Sequence, residues 1–132
     1  LSRFCDLDIC EIEPQKLPEK PSVGEIENAL KKEAEQISKK IPQNSLVISL
    51  CVEGKQMSSE KLAEKIKEMS ALGRGLCFII GSSHGLADEV KKTSDLRLSL
   101  SEMTFPHKLF RVMLLEQIYR GFMINSGSDY HK

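Results

Sequence analysis

The sequence lacks several features that would place it in a protein class at once. No apolar run approaches the roughly 18 residues typical of a membrane span, and no basic stretch followed by an apolar core marks a signal peptide. The 19 basic and 19 acidic residues leave no net charge, so a nucleic-acid partner would have to be bound by a local basic patch. Without repeats or low-complexity segments, the 132 residues indicate one globular domain and no membrane segment.

Signatures of metal sites and disulfides are missing as well. The four cysteines, at positions 5, 10, 51 and 77, form no C-x-x-C pair, and the three scattered histidines make no ligand set. The cysteines lie in apolar, strand-like surroundings, so we expect buried reduced thiols, no metal and a cytoplasmic protein. The chain has no initiator Met, and we expect its beginning to be missing.

Hydrophobic patterning predicts four strands and four helices in alternation. The second and third strands are nearly continuous apolar runs, typical of parallel strands covered on both faces, whereas the first and last alternate apolar and polar residues. A Pro-rich loop follows the first strand, and a turn is expected at residues 53–55. The predicted strands comprise residues 4–12, 45–52, 76–80 and 96–100.

Capping signals and apolar faces mark the helices. Ser22 and Glu25 form a predicted capping box for the first helix, whose charged residues, including Glu33, are expected to be solvated. Ser58 or Ser59 opens the second helix, and a short third helix follows the third strand. The expected inward positions of the first two helices are Ile26, Leu30, Ala34, Ile37, Ile41, Leu62, Ile66, Met69 and Leu72. The alternation predicts an α/β fold with a mainly parallel sheet and helices on both faces.

The last helix, expected at about residues 106–124, is apolar almost all round. Pro106 suits its first position, because proline lacks only an N–H that the helix would leave unpaired, and Thr104 or a neighbour could cap it. One face can pack on the sheet, but a chain of 132 residues has little left to cover the other. This helix therefore predicts a homodimer interface.

Three segments that follow strands are candidates for a ligand site. Open α/β sheets bind small molecules at the carboxyl ends of their strands, here at Leu50, at Gly81 and at residues 100–105. Glycine after a strand lets a ligand approach the backbone, because no Cβ intrudes. The Gly81-x-x-x-Gly85 spacing is weak by itself, since it matches neither a dinucleotide fingerprint nor a phosphate loop. The alternative is an ordinary set of strand–turn–helix joints.

Several motifs in the second half of the chain together make a stronger signal. They are Ile80-Gly81-Ser82-Ser83-His84-Gly85-Leu86, Leu100-Ser101-x-Met103-Thr104-Phe105-Pro106-His107, Arg111-Val112, Glu116-Gln117-x-Tyr119-Arg120 and Tyr130-His131-Lys132. With them the chain resembles, over nearly its whole length, the small bacterial SPOUT methyltransferases that methylate N3 of a pseudouridine in large-subunit ribosomal RNA. The resemblance implies a homodimer that acts on the ribosome, a deep trefoil knot near the C-terminus and S-adenosylmethionine as cofactor.

The resemblance also implies the site residues by position. Catalytic or substrate-binding roles fall on Arg120, Tyr130 and His131. The cofactor contacts fall on Leu50, Gly81, Leu100, Ser101, Glu102, Met103, Thr104 and Phe105. Methylation of N3 requires loss of an imide proton, for which His131 is the candidate base because imidazole titrates near neutral pH. Arg120 and Lys132 could instead stabilise the resulting anion.

Alternatives remain open for these residues and for the function. The 130–132 tail, after the flexible segment 126–128, could be a frayed end, and Arg120 could simply pair with Glu116. The chain departs from the family at Ser82, where glycine is usual, and in lacking an N-terminal strand and helix, so we expect a fragment. The alternative function is a non-catalytic RNA- or ribosome-binding module that keeps the fold. A generic nucleotide-binding domain is disfavoured, because there is no phosphate-loop motif.

Overall fold

The computed structural model describes residues 5–131, and within that range three strands alternate with four helices. In chain order these are α1 Val23–Lys40, β1 Ser45–Gln56, α2 Ser59–Ser70, β2 Gly75–Ile80, α3 Asp88–Lys92, β3 Leu96–Ser99 and α4 His107–Asn125. The last three predicted strands and all four predicted helices are confirmed, with small shifts at most ends. β1 is longer than predicted: it runs to Gln56, whereas the predicted strand ends at Val52.

β1 is the central strand of a parallel sheet in the order β2-β1-β3. Its residues pair on both sides, so that Leu50 lies beside Ile80 of β2 and beside Leu98 of β3. A strand that is paired on both edges and covered on both faces has little contact with water, which is why the run is nearly all apolar. The prediction of a parallel α/β sheet is confirmed.

Helices cover both faces of the sheet, as predicted. Because neighbouring residues of a strand point to opposite faces, Ile48 joins the core beneath α2 and α4, while Val47 packs on the core beneath α1 and α3. The buried members of the first core are Ile48, Leu50, Leu62, Ile66, Leu98, Leu114 and Ile118. Those of the second core are Ala34, Ile79, Leu86, Ala87 and Val90.

One charged residue of α1 contradicts the expectation of a solvated face. The capping box forms as predicted: Ser22 Oγ accepts from the Glu25 N–H, and the Glu25 carboxylate accepts from the Ser22 N–H, both at 3.1 Å. Glu33, however, is only 8% exposed, and its carboxylate accepts a hydrogen bond from the backbone N–H of Gln15 at 3.1 Å. The segment before α1 covers this residue, which the periodicity of the helix alone could not indicate.

α4 packs one side against α2 and leaves another side open. Gly121 lets the two helices approach, since a Cβ there would lie 3.0 Å from Ile66 Cδ1. Leu114 is buried, whereas Leu109 and Val112 are 48% and 61% exposed. The outer side is therefore apolar and uncovered within the single chain. Among the described residues, no helix combines the length and the apolar character needed to cross a membrane.

The segment before α1 is not the strand that its alternation predicts. Residues 5–22 form no helix or strand, so the predicted strand at 4–12 is wrong over its described part, and Phe4 lies outside the described residues. A strand must satisfy its N–H and C=O groups with a partner, and none of the three described strands pairs with this segment. Instead, Glu11 forms an ion pair with Arg111 of α4 at 2.6 Å.

Two expectations of burial are also wrong. Leu72, predicted to point inward, is 65% exposed because α2 ends before it. None of the four cysteines is fully buried: Cys10 is exposed, and Cys51 and Cys77 are partly buried free thiols. Burial raises the pKa of both the Cys51 and the Cys77 thiol, which keeps them protonated at neutral pH.

Candidate functional site

The strand order brings the three predicted ligand segments to one edge of the sheet. Leu50 of β1 lies between Ile80 of β2 and Leu98 of β3. Gly81 directly follows Ile80, and residues 100–105 begin shortly after Leu98. Because neighbouring strands are about 4.8 Å apart, the two loops start roughly 10 Å from each other on either side of Leu50.

The β1 part of this edge differs from the prediction. β1 continues past the predicted turn, and Leu98 is the register partner of both Leu50 and Lys55, with residues 51–54 inserted between the two pairings. Gly54 permits this path, since a Cβ there would lie 2.8 Å from the carbonyl carbon of Leu98. The predicted turn is therefore wrong: the chain stays in contact with β3, where a side chain at this glycine would have forced it away.

The loop after β2 is closed on itself. The Ser82 N–H donates to the Gly85 C=O at 3.2 Å, and the Gly85 N–H donates to the Ser82 C=O at 2.8 Å. Gly85 has φ 84°, in the left-handed region that favours glycine. A Cβ at Gly81 would lie 2.5 Å from the Gly85 carbonyl, so the loop itself fills the space that this glycine leaves. The cavity beside the loop measures about 30 Å³, room for a water molecule but not for a cofactor.

The loop after β3 is more open, and Met103 in it is 72% exposed. Ser101 Oγ accepts a hydrogen bond from the Met103 N–H at 2.9 Å, and Ser99 Oγ donates to the Ser101 C=O at 3.0 Å. Pro106 occupies the cap position of α4 and not its first helical position, and no described side chain caps the helix, so the predicted place of Pro106 and the predicted cap by Thr104 or a neighbour are both wrong. The first N–H groups of α4 are therefore open beside this loop.

A groove of about 380 Å³ opens between α2, α4 and the end of β3. It is lined by Met57, Ser58, Ser59, Leu62, Leu98, Ser99, Leu100, Val112, Met113, Glu116 and Gln117. Ser59 Oγ donates to Gln117 Oε1 at 2.6 Å and so links α2 to α4. Of the eight residues that the resemblance assigns to the cofactor, Leu100 lines this groove. Its volume lies in the range of small-molecule sites, about 300–1,000 Å³.

The C-terminal tail is packed on α2 and α4 and is not a frayed end. Arg120 Nη1 lies 3.0 Å from His131 Nδ1, and His131 Nε2 lies 2.6 Å from Glu60 Oε1. Arg120 also contacts Glu116 Oε1 through Nε and Nη2, at 2.9 and 2.7 Å. The Arg120 guanidinium carbon lies 4.9 Å from the centroid of the Tyr130 ring, whose hydroxyl donates to Glu116 at 3.4 Å. The structure thus brings Arg120, Tyr130 and His131 together.

The partners of His131 define its tautomer. A guanidinium can only donate, so Nδ1 accepts from Arg120 and carries no proton, and Nε2–H donates to the Glu60 carboxylate. The hydrogen bond from His131 lowers the pKa of the Glu60 carboxyl. The hydrogen bond with Glu116 raises the pKa of Arg120, which keeps the guanidinium charged. Lys132, the other candidate cation, lies outside the described residues.

Sequence patterns indicate some members of this cluster and miss others. The four-residue spacing of Glu116 and Arg120 on a helix predicts their pairing, which is confirmed. Glu116 also lines the groove, so it connects the tail to that site. Glu60 has no signal in the sequence, since it lies 71 residues before His131 and meets it only in the folded chain.

Comparisons with known proteins match the chain, over its whole length, to one kind of protein. A family model described as "Predicted SPOUT methyltransferase" matches residues 1–131. A Clostridioides difficile (strain 630) protein named ribosomal RNA large subunit methyltransferase H is 50% identical over 133 residues, which cover 100% of this chain and 84% of that protein. A Methanococcus maripaludis (strain C5) protein named putative ribosomal RNA large subunit methyltransferase H is also 50% identical, with the same coverage. A protein of Streptococcus equi subsp. zooepidemicus (strain MGCS10565) with the former name is 44% identical, again with the same coverage.

Proposed function

The chain belongs to the SPOUT methyltransferase family, and from that premise we propose that it methylates large-subunit ribosomal RNA. The names of its relatives support this substrate. The observation that carries the proposal is the contact of Tyr130 and His131 with Arg120, which pairs with Glu116 at the border of the groove. A cation in contact with a phenol and an imidazole is suited to handling a proton and a developing negative charge.

The proposed acceptor is N3 of a pseudouridine. This nitrogen carries an imide proton, which has to leave before the nitrogen can attack a methyl group. His131 offers a basic nitrogen, and Arg120 offers a charge that favours the imide anion. The two roles that the sequence analysis treated as alternatives thus fall on two residues in contact, and both can operate in one reaction.

S-adenosylmethionine is the proposed methyl donor; when bound, it supplies an electrophilic methyl group on a sulfonium sulfur. The groove fits this ligand in size and in mixed polarity. Its lining combines the apolar side chains of Leu100 and Met113 with the hydroxyls of Ser58 and Ser99 and the carboxylate of Glu116. By the family resemblance, the residues proposed to hold the cofactor are Leu50, Gly81, Leu100, Ser101, Glu102, Met103, Thr104 and Phe105, of which Leu100 also lines the groove.

The proposed working form is a cytoplasmic homodimer of single-domain chains. The apolar outer side of α4, with Leu109 and Val112 exposed, supports an interface between two copies. A twofold axis through this helix would cover the same surface on both chains. The groove is partly lined by Val112, so the second copy would also close one side of the site.

The trefoil knot implied by the family resemblance is part of the proposal. What supports it is the family to which the chain belongs.

The test is transfer of a labelled methyl group to ribosomes that carry the pseudouridine, compared with ribosomes that keep uridine at the same position. We expect label in the first sample alone, at N3 when the nucleosides are separated. Cofactor binding by calorimetry without any transfer would favour the non-catalytic ribosome-binding module. Absence of both binding and transfer would overturn the proposal.

A further inference from the structure

We propose that Glu60 is a positioning residue for His131: it holds the Nε2–H and so leaves Nδ1 as the basic nitrogen. The proposal rests on the methyltransferase function proposed above. Neither the sequence motifs nor the family comparison points to Glu60. The observation behind it is the 2.6 Å contact between His131 Nε2 and Glu60 Oε1.

The start of α2 is anchored on both sides of Glu60. Ser58 Oγ accepts from the Lys61 N–H at 3.1 Å and fixes the first turn of the helix. Ser59 Oγ donates to Gln117 of α4 at 2.6 Å. The backbone that carries Glu60 is therefore held against the helix that carries Arg120. An otherwise exposed carboxylate is in this way held at a fixed place relative to the tail.

The two partners of His131 together select one tautomer. Arg120 offers N–H donors only, and the Glu60 carboxylate offers acceptors only, so a ring between them carries its proton on Nε2. If Glu60 were removed, Nε2 would lose its acceptor. The ring could then rotate, or take the other tautomer when Arg120 moves away, and the lone pair would no longer have a defined direction.

The proton step follows from this arrangement. The imide N–H bond of the substrate breaks, an N–H bond forms at His131 Nδ1, and the electron pair of the broken bond stays on the substrate nitrogen. Arg120 must leave Nδ1 for this transfer, and its contacts with Glu116 hold it close by. The Glu60 carboxylate then faces the imidazolium and offsets its charge. The charged groups that face the ring are Glu60 from α2 and Arg120 from α4, with Glu116 and Tyr130 one contact further away.

The experiment compares Glu60→Ala, Glu60→Gln and the control Glu64→Gln, another exposed α2 carboxylate that pairs with Lys61. The nitrogen chemical shifts of His131 are recorded by NMR without substrate, together with kcat and the cofactor Kd. In the parent and in E60Q we expect a bare Nδ1 and a protonated Nε2, because an amide oxygen also accepts that hydrogen bond. E60A should show mixed tautomers and a kcat lower by roughly 10–100-fold, with an unchanged cofactor Kd. E60Q should recover much of this loss, and E64Q should match the parent.

An unchanged tautomer or an unchanged kcat in E60A would overturn the proposal. Equal losses of kcat and of thermal stability in E60A and E64Q would also overturn it, because they would reveal a merely structural effect. Failure of the proposed function gives a different result, namely no transfer by the parent protein. The NMR spectra would even then decide whether Glu60 sets the tautomer of His131.

Discussion

Gly81 and Gly85 are packed backbone against backbone: a Cβ added to Gly81 would lie 2.5 Å from both the carbonyl carbon and the carbonyl oxygen of Gly85. This contact gives Gly81 a structural role besides the proposed one in cofactor binding. A substitution here therefore changes the loop before it changes any ligand contact.

Gly81→Ala should lower the free energy of unfolding by about 1–3 kcal/mol, since the backbone of the loop must shift to make room. The control is Gly75→Ala in β2, whose Cβ would meet Ser45 Oγ at an ordinary 3.8 Å and should cost little. Denaturant midpoints measure both. Cofactor affinity is then compared at a temperature where all variants are folded. Equal stability of G81A and G75A would contradict the packing of this loop.

Leu109→Lys should dissociate the proposed dimer without unfolding the chain, because Leu109 is 48% exposed on the outer side of α4. Leu114→Lys is the contrasting variant; Leu114 is 4% exposed, so a buried charge should unfold the protein. Light scattering gives the mass and circular dichroism gives the fold. A parent protein that stays monomeric at micromolar concentration would count against the interface.

Deletion of residues 130–132 should leave folding and cofactor binding nearly intact. Tyr130 and His131 contribute contacts at the surface of α2 and α4, where solvent screens ion pairs, so their loss should have little effect on the fold. Turnover on ribosomes should fall by at least about 100-fold, because the candidate base is removed. Thermal stability, cofactor affinity and turnover are measured on the same preparation. Full turnover in the truncated protein would exclude His131 from the chemistry.

Ser49→Ala should stabilise the protein or leave it unchanged. Ser49 is 0% exposed, and its hydroxyl has no hydrogen-bond partner among the described residues, so the substitution removes an unsatisfied polar group. Ser99→Ala is the matched control, since Ser99 is 3% exposed but donates to Ser101. We expect S99A to lower the free energy of unfolding by about 1 kcal/mol and S49A to raise it by up to about 1 kcal/mol, as measured by thermal unfolding. A larger loss in S49A than in S99A would mean that the Ser49 hydroxyl has a partner.

Glu53→Gln should lower the free energy of unfolding at neutral pH and leave it unchanged in acid. Glu53 lies 2.5 Å from Lys91 Nζ, and this hydrogen bond lowers the pKa of the Glu53 carboxyl below its ordinary 4.5. A lowered pKa in the folded state contributes stability above the unfolded-state pKa, and this stability is lost as pH falls through the folded-state value. We expect a cost under about 1 kcal/mol at pH 7, because Glu53 is half exposed. Denaturation curves measured at pH 7 and at successively lower pH test this prediction. The same loss of stability at every pH would refute it.

Periodicity and capping rules predict the regular parts of this fold because those parts depend on neighbours in the sequence. The capping box at Ser22 and Glu25 is a local motif, and the apolar run of β1 reflects burial on both faces. The segment 5–12 shows the limit of the same rules. Alternation is necessary for a half-buried strand, but pairing depends on whether another edge is available, which no local pattern records.

The candidate site also has parts that local sequence patterns predict and parts that they do not. The resemblance names Arg120, Tyr130 and His131, and the four-residue helical spacing predicts the partner of Arg120. The burial of Glu33 and the position of Glu60 come from contacts between segments far apart in sequence. The closed loop at Gly81 is a further case. A glycine that leaves space for a ligand and a glycine whose space is filled by the neighbouring backbone look identical in a sequence.

The pairing of β3 with β1 has a consequence for the order in which the chain folds. Val47 and Asp95, 48 positions apart, bond through the Asp95 carboxylate and through the backbone at 2.7 and 2.8 Å. During synthesis β1 and β2 leave the ribosome first, and one edge of β1 stays open until β3 and its flanking loops are complete. Contacts of such long range form slowly, so an intermediate with an uncovered strand edge should accumulate and should tend to aggregate. Refolding yield, more than final stability, should therefore depend on protein concentration.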